Sequence, residues 1–259
     1  MHPLLFKIGP IPVHTYGFMI ALGFLSALYI FRRNAEREKL NVDRVLDLAF
    51  WGLLVAFIGC RILFVFTRLD YFMADPLAVF RIWEGGLVFY GGPLASFPFC
   101  YWYLKKHRMP IWKTMDAMIP GIALAHSFGR LGCLSAGCCY GKPTGSSFGI
   151  RLYSDLVDKQ YQGIPLHPTQ LYESTALLLL FCGLQFLQRR KTFDGQIILT
   201  YFMAYPVIRS VVEIFRGDLI RGFVIDGILS TSQFISILVF LAAMSVLILK
   251  SRKLRMATS

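Results

Sequence analysis

Charge is scarce in this sequence. Only 16% of its 259 residues are Asp, Glu, Lys or Arg, and just 15 are acidic, against roughly 25% charged in an ordinary soluble domain. That shortage excludes a water-exposed surface of the usual kind. Internal repeats, low-complexity linkers and stretches with the composition of a soluble domain are also lacking, so a single unit over 1–259 is expected. The six cysteines include no C-x2-C pair and are matched by no second Cys/His set, so no metal is expected. Basic residues are not gathered on one face, which excludes a nucleic-acid-binding surface.

What is present is apolar. Hydrophobic residues make up 56% of the chain, aromatics 15%, and mean hydropathy is +0.56. A transmembrane helix needs about 20 mostly apolar residues to cross roughly 30 Å of hydrocarbon. Runs of that kind lie at about 13–31, 45–67, 86–104, 112–134, 168–187, 195–214 and 227–249. The fold class expected is therefore an all-α polytopic membrane protein with seven transmembrane helices. The first run reads as a retained span. Its strong charge, Arg32 and Arg33, follows the apolar stretch, and no short apolar core ends in a small-residue cleavage site.

Alternate connections carry the basic residues: Arg32, Arg33, Arg37, Lys39 and Arg44; Lys105, Lys106, Arg108 and Lys113; Arg189, Arg190 and Lys191; and Lys250, Arg252, Lys253 and Arg255. With seven spans all four groups fall on one side, which the positive-inside rule makes cytoplasmic. The N-terminus is then outside (periplasmic) and the C-terminus cytoplasmic. The net charge of +12 is on this reading a topological signal that also favours anionic lipid. One long connection, about 135–166, is expected on the outer side and partly ordered. Tyr16, the stretch GGLVFYGG (85–92), Arg130, His167 and the pair Arg209 and Glu213 all come to outer ends of spans.

A charged side chain at mid-depth in a span costs at least about 2.5–3.5 kcal/mol and usually faces a polar interior. Arg130, Arg209 and Glu213 stand out on that ground. Each could be functional, or could belong to an interhelical ion pair or snorkel to the interface. Glu213 lies four residues after Arg209, on the same helix face, where it could simply neutralise it. Arg61, in GCRILFVF, is a weaker signal: it has no nearby acid in the chain and could pair elsewhere in the bundle. Guanidinium binds phosphate bidentately and keeps its charge, so the natural partner for two arginines at a membrane face is a phospholipid headgroup. Gly85/Gly86 and Gly91/Gly92 fit either close helix packing or a cavity where a headgroup approaches the backbone. His167 is either a general base or a residue at the outer end of its helix, with Pro168 in the first turn.

Cys60, Cys100 and Cys182 fall within spans, where they behave as small apolar residues. Cys133, Cys138 and Cys139 are spaced C-x4-C-C, unlike zinc or iron–sulfur runs. A disulfide from Cys133 to Cys138 or Cys139 is compatible with an oxidising outer compartment.

Five stretches, in order, resemble the prolipoprotein diacylglyceryl transferases of bacteria: HTYGFMIALGF (14–24), GGLVFYGG (85–92), MDAMIPGIALAHSFGRLG (115–132) into GCCYGKPT (137–144), HPTQLYES (167–174) and YPVIRSVVEIFRGD (205–218). The resemblance implies a multi-pass enzyme of the bacterial inner (cytoplasmic) membrane that moves the diacylglyceryl group of phosphatidylglycerol onto the lipobox cysteine of a preprolipoprotein. It implies no metal or organic cofactor, since the substrate supplies the nucleophile. It also implies that Arg130 contacts the phospholipid and that Arg209 is essential. Arg130, Arg209, Glu213, His167 and Tyr90 form the expected catalytic set. Arg130, Tyr16, Gly91, Gly92 and Gly141 form the expected phosphatidylglycerol-binding set.

The chain departs from the family at three points. Tyr90 stands where many members have histidine, and a phenol with pKa near 10 is a poor base. Cys133 and Cys138 occupy the usual asparagine and glutamate positions of the signature. These departures keep open a diverged paralogue acting on another lipid or acceptor, a thiol oxidoreductase using Cys133, Cys138 and Cys139, and a lipid-binding protein without turnover. They also make His167, or no side chain at all, the expected aid to thiol deprotonation.

Overall fold

The computed structural model describes residues 4–8, 11–81, 85–154, 156–217, 222–225 and 229–258. Helices dominate: α1 (Thr15–Arg37), α2 (Val42–Thr67), the short α3 (Leu69–Ala74), α4 (Gly91–Lys106), α5 (Ile111–Ala136), α6 (Thr169–Gln188), α7 (Gln196–Ile214) and α8 (Thr231–Thr258). Among the described residues three two-stranded antiparallel ribbons accompany them, β1 (Leu4–Ile8) with β2 (Ile11–His14), β3 (Ile150–Arg151) with β4 (Pro165–Leu166), and β5 (Phe223–Ile225) with β6 (Leu229–Ser230). The ribbons are additions to the all-α expectation.

Among the described residues six helices, α1, α2, α5, α6, α7 and α8, are long and apolar enough to cross a membrane. The stretch expected as a third span, 86–104, is helical only from Gly91 and yields a helix of 16 residues, about 24 Å long at 1.5 Å per residue. Large apolar side chains such as Tyr29, Phe50, Phe57, Leu179 and Leu241 point outward from the spans. Outward apolar residues suit a lipid solvent, where the backbone must pair within each helix.

Two compact units make up the chain, residues 31–114 and residues 1–30 with 115–259. In the first, α2 starts at Asn41, whose side chain accepts from the Arg44 amide at 3.0 Å, an N-cap. α2 then crosses α4 with the backbones in contact. A Cβ at Gly59 would strike the Gly91 carbonyl, and one at Gly91 would strike that of Gly59. Arg61 is buried on α2 and finds its partners in backbone rather than in an acid. It donates to the carbonyls of Val79 (3.0 Å), Gly85 (2.6 Å), Gly86 (3.0 Å), Ala78 (2.7 Å) and Arg81 (3.2 Å), and its guanidinium lies over the rings of Phe64 and Phe72. Gly85 and Gly86 can offer their carbonyls because both take positive φ, 86° and 81°.

In the other unit, Ile119 and Ala123 of α5, Leu184 of α6, and Ile197 and Tyr201 of α7 form an apolar core. Gly23 of α1 lets α5 approach closely, since a Cβ there would sit 2.9 Å from that of Phe128. Ser127 and Ser174 join α5 to α6 by donating to each other's carbonyls at 2.9 and 3.0 Å, small polar residues acting as glue between spans. Asp116, fully buried in α5, caps α7. It accepts from the amides of Gly195 (2.7 Å), Ile197 (3.1 Å) and Ile198 (3.0 Å), and Lys191 Nζ is 3.6 Å away. The positive end of the α7 dipole and Lys191 together make a carboxylate tolerable there.

The long connection has packing of its own among its described residues. Tyr140, Leu152, Val157 and Leu166 form a small core of their own, and Tyr140 donates to Asp158 at 2.8 Å.

Candidate functional site

α5 carries His126, Arg130 and Cys133 near its C-terminal end, and α7 carries Tyr201, Tyr205, Arg209 and Glu213 at four-residue spacing. Both series follow the helical repeat, so each presents its polar groups along one stripe. α6 contributes one acid, Glu173, 1% exposed.

Five of these groups, Glu173 included, meet around that acid, and two more pair within α7. Arg130 Nη2 lies 2.9 Å from Glu173 Oε1, Tyr205 donates to the same oxygen at 3.3 Å, and His126 Nε2 is 4.0 Å from it. The His126 ring lies 5.1 Å from that of Tyr205, and Tyr205 stacks on Tyr201 at 5.6 Å. Arg209 Nη2 pairs with Glu213 Oε2 at 2.5 Å within α7. Tyr205 and His126 each lie within electrostatic range of both arginines.

Neither arginine is used up by its carboxylate. Arg130 Nε and Arg209 Nη1 are buried, and among the described residues neither has a hydrogen-bond partner. Two guanidiniums with spare donors, each oriented by an acid, are suited to an anionic oxygen ligand such as a phosphodiester.

Other expected residues fall around these groups or apart from them. The Tyr16 ring packs on Gly132, where a Cβ would sit 3.0 Å from Tyr16 Cδ2, and this brings Tyr16 to the C-terminal end of α5. His167 is half-buried. Its Nδ1 is 3.3 Å from the Tyr172 hydroxyl and its ring packs edge-on against Phe215 at 5.3 Å. Gly141 is glycine because three strands of chain cross there. Its amide donates to His167 O at 3.1 Å, and a Cβ would meet His167 O at 2.5 Å and Phe215 O at 2.8 Å. Gly91 and Gly92 are buried against Gly59 and Cys60 of α2, so helix packing accounts for them. Tyr90 precedes α4, exposed, with its ring beside Phe89.

Cys60, Cys100, Cys133, Cys138 and Cys182 are free thiols. Cys138 and Cys139 lie just beyond α5. Hydrogen bonding to Cys133 and Cys139 pushes the Cys138 thiol up. Hydrogen bonds from Cys133 and then Cys138, with the Arg216 and Arg130 charges adding, pull Cys139 well below the ordinary thiol range.

Sequence reasoning passed over Glu173, His126, Tyr205 and Asp116. For the two acids the signal was present: a carboxylate inside an apolar run carries the same desolvation cost that drew attention to the arginines. His126 sits one turn before Arg130 on the same face.

The fold and the site define a polytopic helical membrane protein with buried arginine–carboxylate pairs. The family described as prolipoprotein diacylglyceryl transferase matches residues 3–249. A protein of Clostridium tetani named phosphatidylglycerol--prolipoprotein diacylglyceryl transferase is 35% identical over 237 residues, covering 92% of this chain and 93% of its own. Similar proteins of that name come from Clostridium perfringens, 34% identical with 93% and 92% covered, and Oceanobacillus iheyensis, 31% identical with 95% and 87% covered. The chain belongs to the prolipoprotein diacylglyceryl transferase family.

Proposed function

We propose that this chain transfers the diacylglyceryl group of phosphatidylglycerol to the lipobox cysteine thiol of preprolipoproteins, the first step of bacterial lipoprotein maturation. The names of its relatives support the reaction and both substrates. One observation on the chain itself carries the reading: Arg130 and Arg209 are each held by a carboxylate and each keep a buried, unpartnered donor.

In the reaction the substrate sulfur attacks the glyceryl carbon next to the phosphate. A C–S bond forms, the C–O bond to phosphate breaks, glycerol 1-phosphate leaves, and the thiol proton is lost to a base or to water. Nothing is oxidised or reduced, and no cofactor is required. Negative charge gathers on the departing phosphate, where Arg130 and Arg209 stabilise it. Glu213 orients Arg209, and Glu173 orients Arg130. His167, or no side chain at all, assists loss of the thiol proton. Tyr16 and Gly141 border the lipid headgroup, Gly141 through the backbone it allows to pack closely.

The chain works as one transferase domain of the bacterial cytoplasmic membrane, with lipid and lipoprotein as partners and no nucleic acid. α4 makes a seventh membrane-embedded helix, with the N-terminus outside and the C-terminus inside, as the distribution of Lys and Arg supports. Reporter fusions after residues 39, 107, 190 and 252 should all report a cytoplasmic location.

The deciding test is an assay of the purified chain with phosphatidylglycerol and a fluorescent lipobox peptide. The peptide should gain one diacylglyceryl group. A folded chain that transfers none, with phosphatidylglycerol present, overturns the proposal.

A further inference from the structure

The transferase chemistry leaves Cys133, Cys138 and Cys139 without a task, since the reacting thiol is the substrate's. Their three sulfurs nonetheless lie within 4.8 Å of one another, which the C-x4-C-C spacing alone does not suggest.

Local backbone geometry explains the cluster. α5 ends in a Schellman turn: Gly137 takes φ 81°, its amide donates to Leu134 O at 3.2 Å, and the Cys138 amide donates to Cys133 O at 3.2 Å. In that turn the residue three before the cap and the second residue after it bring their side chains together, and here those residues are Cys133 and Cys138. Cys139 follows with φ 61°, in the left-handed region that non-glycine residues seldom visit, and its sulfur joins the other two. α6 pins the turn, as Gln170 Nε2 donates to Cys138 O at 2.7 Å and Thr169 Oγ1 to Cys139 O at 2.8 Å. The cluster is thus built on two helix ends rather than on a loose loop.

We propose that Cys133, Cys138 and Cys139 form a three-sulfur binding site for a thiophilic d10 cation, Cu(I) or Zn(II), at the C-terminal end of α5. Metal–sulfur bonds of about 2.3 Å place sulfurs about 3.8 Å apart in tetrahedral and about 4.0 Å apart in trigonal geometry. A cluster within 4.8 Å reaches either by contracting less than about 1 Å. Thiolate donors select Cu(I) and Zn(II) over harder ions. Three thiolates around either cation leave a net negative charge, and the guanidiniums of Arg216 and Arg130, both within electrostatic range of Cys139, offset it. With Cu(I) the three sulfurs complete the site, whereas Zn(II) takes water in the fourth position.

The test needs no transferase activity, so its outcome is separate from that of the reaction proposed above. The full chain in detergent is reduced, its thiols are counted, and it is titrated with Zn(II) alone and with Cu(I) alone against a chromophoric chelator. The expected result is one equivalent retained per chain in at least one arm, together with a rise in melting temperature. The variant Cys60→Ser/Cys100→Ser/Cys182→Ser should retain the same equivalent. Cys133→Ser/Cys138→Ser/Cys139→Ser should lose it. The single change Cys138→Ser, which keeps the turn, should weaken binding by at least about tenfold. Failure of the reduced wild-type chain to retain either ion overturns the site, as does equal retention by a folded Cys138→Ser chain.

Discussion

Glu173 and Arg130 meet at 2.9 Å, carboxylate oxygen to guanidinium nitrogen, joining α6 to α5. Glu173 has almost no contact with the surroundings of the protein, so each charge is the other's main compensation. Removing one partner of such a pair leaves a buried charge uncompensated, at a cost of roughly 3–5 kcal/mol.

Glu173→Gln should therefore lower transferase activity by at least about tenfold while Arg130 remains in place, because one carboxylate both neutralises and aims the guanidinium. Activity in the phosphatidylglycerol and peptide assay, compared with melting temperature, separates lost orientation from lost folding. Wild-type rates from a folded Glu173→Gln chain would remove Glu173 from the site.

Arg130→Lys and Arg209→Lys should each lose about 10²–10³-fold in kcat, close to the loss from alanine. An ammonium restores the charge but not the planar fork that can hold a carboxylate on one edge and present a donor on another. A lysine variant within a few-fold of wild type would show that charge alone suffices.

Asp116→Ala should destabilise the chain by about 1–3 kcal/mol, because three amides at the start of α7 lose their buried acceptor. Asp116 lies outside the arginine–carboxylate pairs, so the activity of the fraction that remains folded should stay near wild type. Thermal unfolding in detergent, with specific activity measured below the transition, checks both parts.

Gly59→Ala and Gly91→Ala should each destabilise by about 1–3 kcal/mol, since the added methyl meets backbone rather than a yielding side chain. Gly17→Ala, where a Cβ meets nothing within 4 Å, is the matched control and should leave the melting temperature unchanged.

Much of the architecture was legible beforehand. The six long helices fall on six of the expected runs, because the cost of burying charge in hydrocarbon acts on local composition. α4 is shorter than its apolar run because GGLVFY, with two glycines at positive φ, is drawn into turns whose carbonyls serve Arg61. Arg61 itself was legible as a residue needing a partner, but not its partners, since any backbone carbonyl can serve and none is marked by residue type.

The site divides in the same way. Arg130, Arg209 and Glu213 announced themselves as charges within spans, and the Arg209–Glu213 pair follows from four-residue spacing on one helix. The sequence by itself determined which segments are apolar helices, which charges they carry, and which charges share a helix face, because each depends on neighbours a few residues away. Only the tertiary structure decided that Glu173 pairs with Arg130, that Asp116 caps a helix beginning 80 residues later, and that His126 rather than His167 lies beside the carboxylate of Glu173. Those choices depend on how helices pack across the bundle, and the interactions that fix them join residues whose separation along the chain carries no periodic signal.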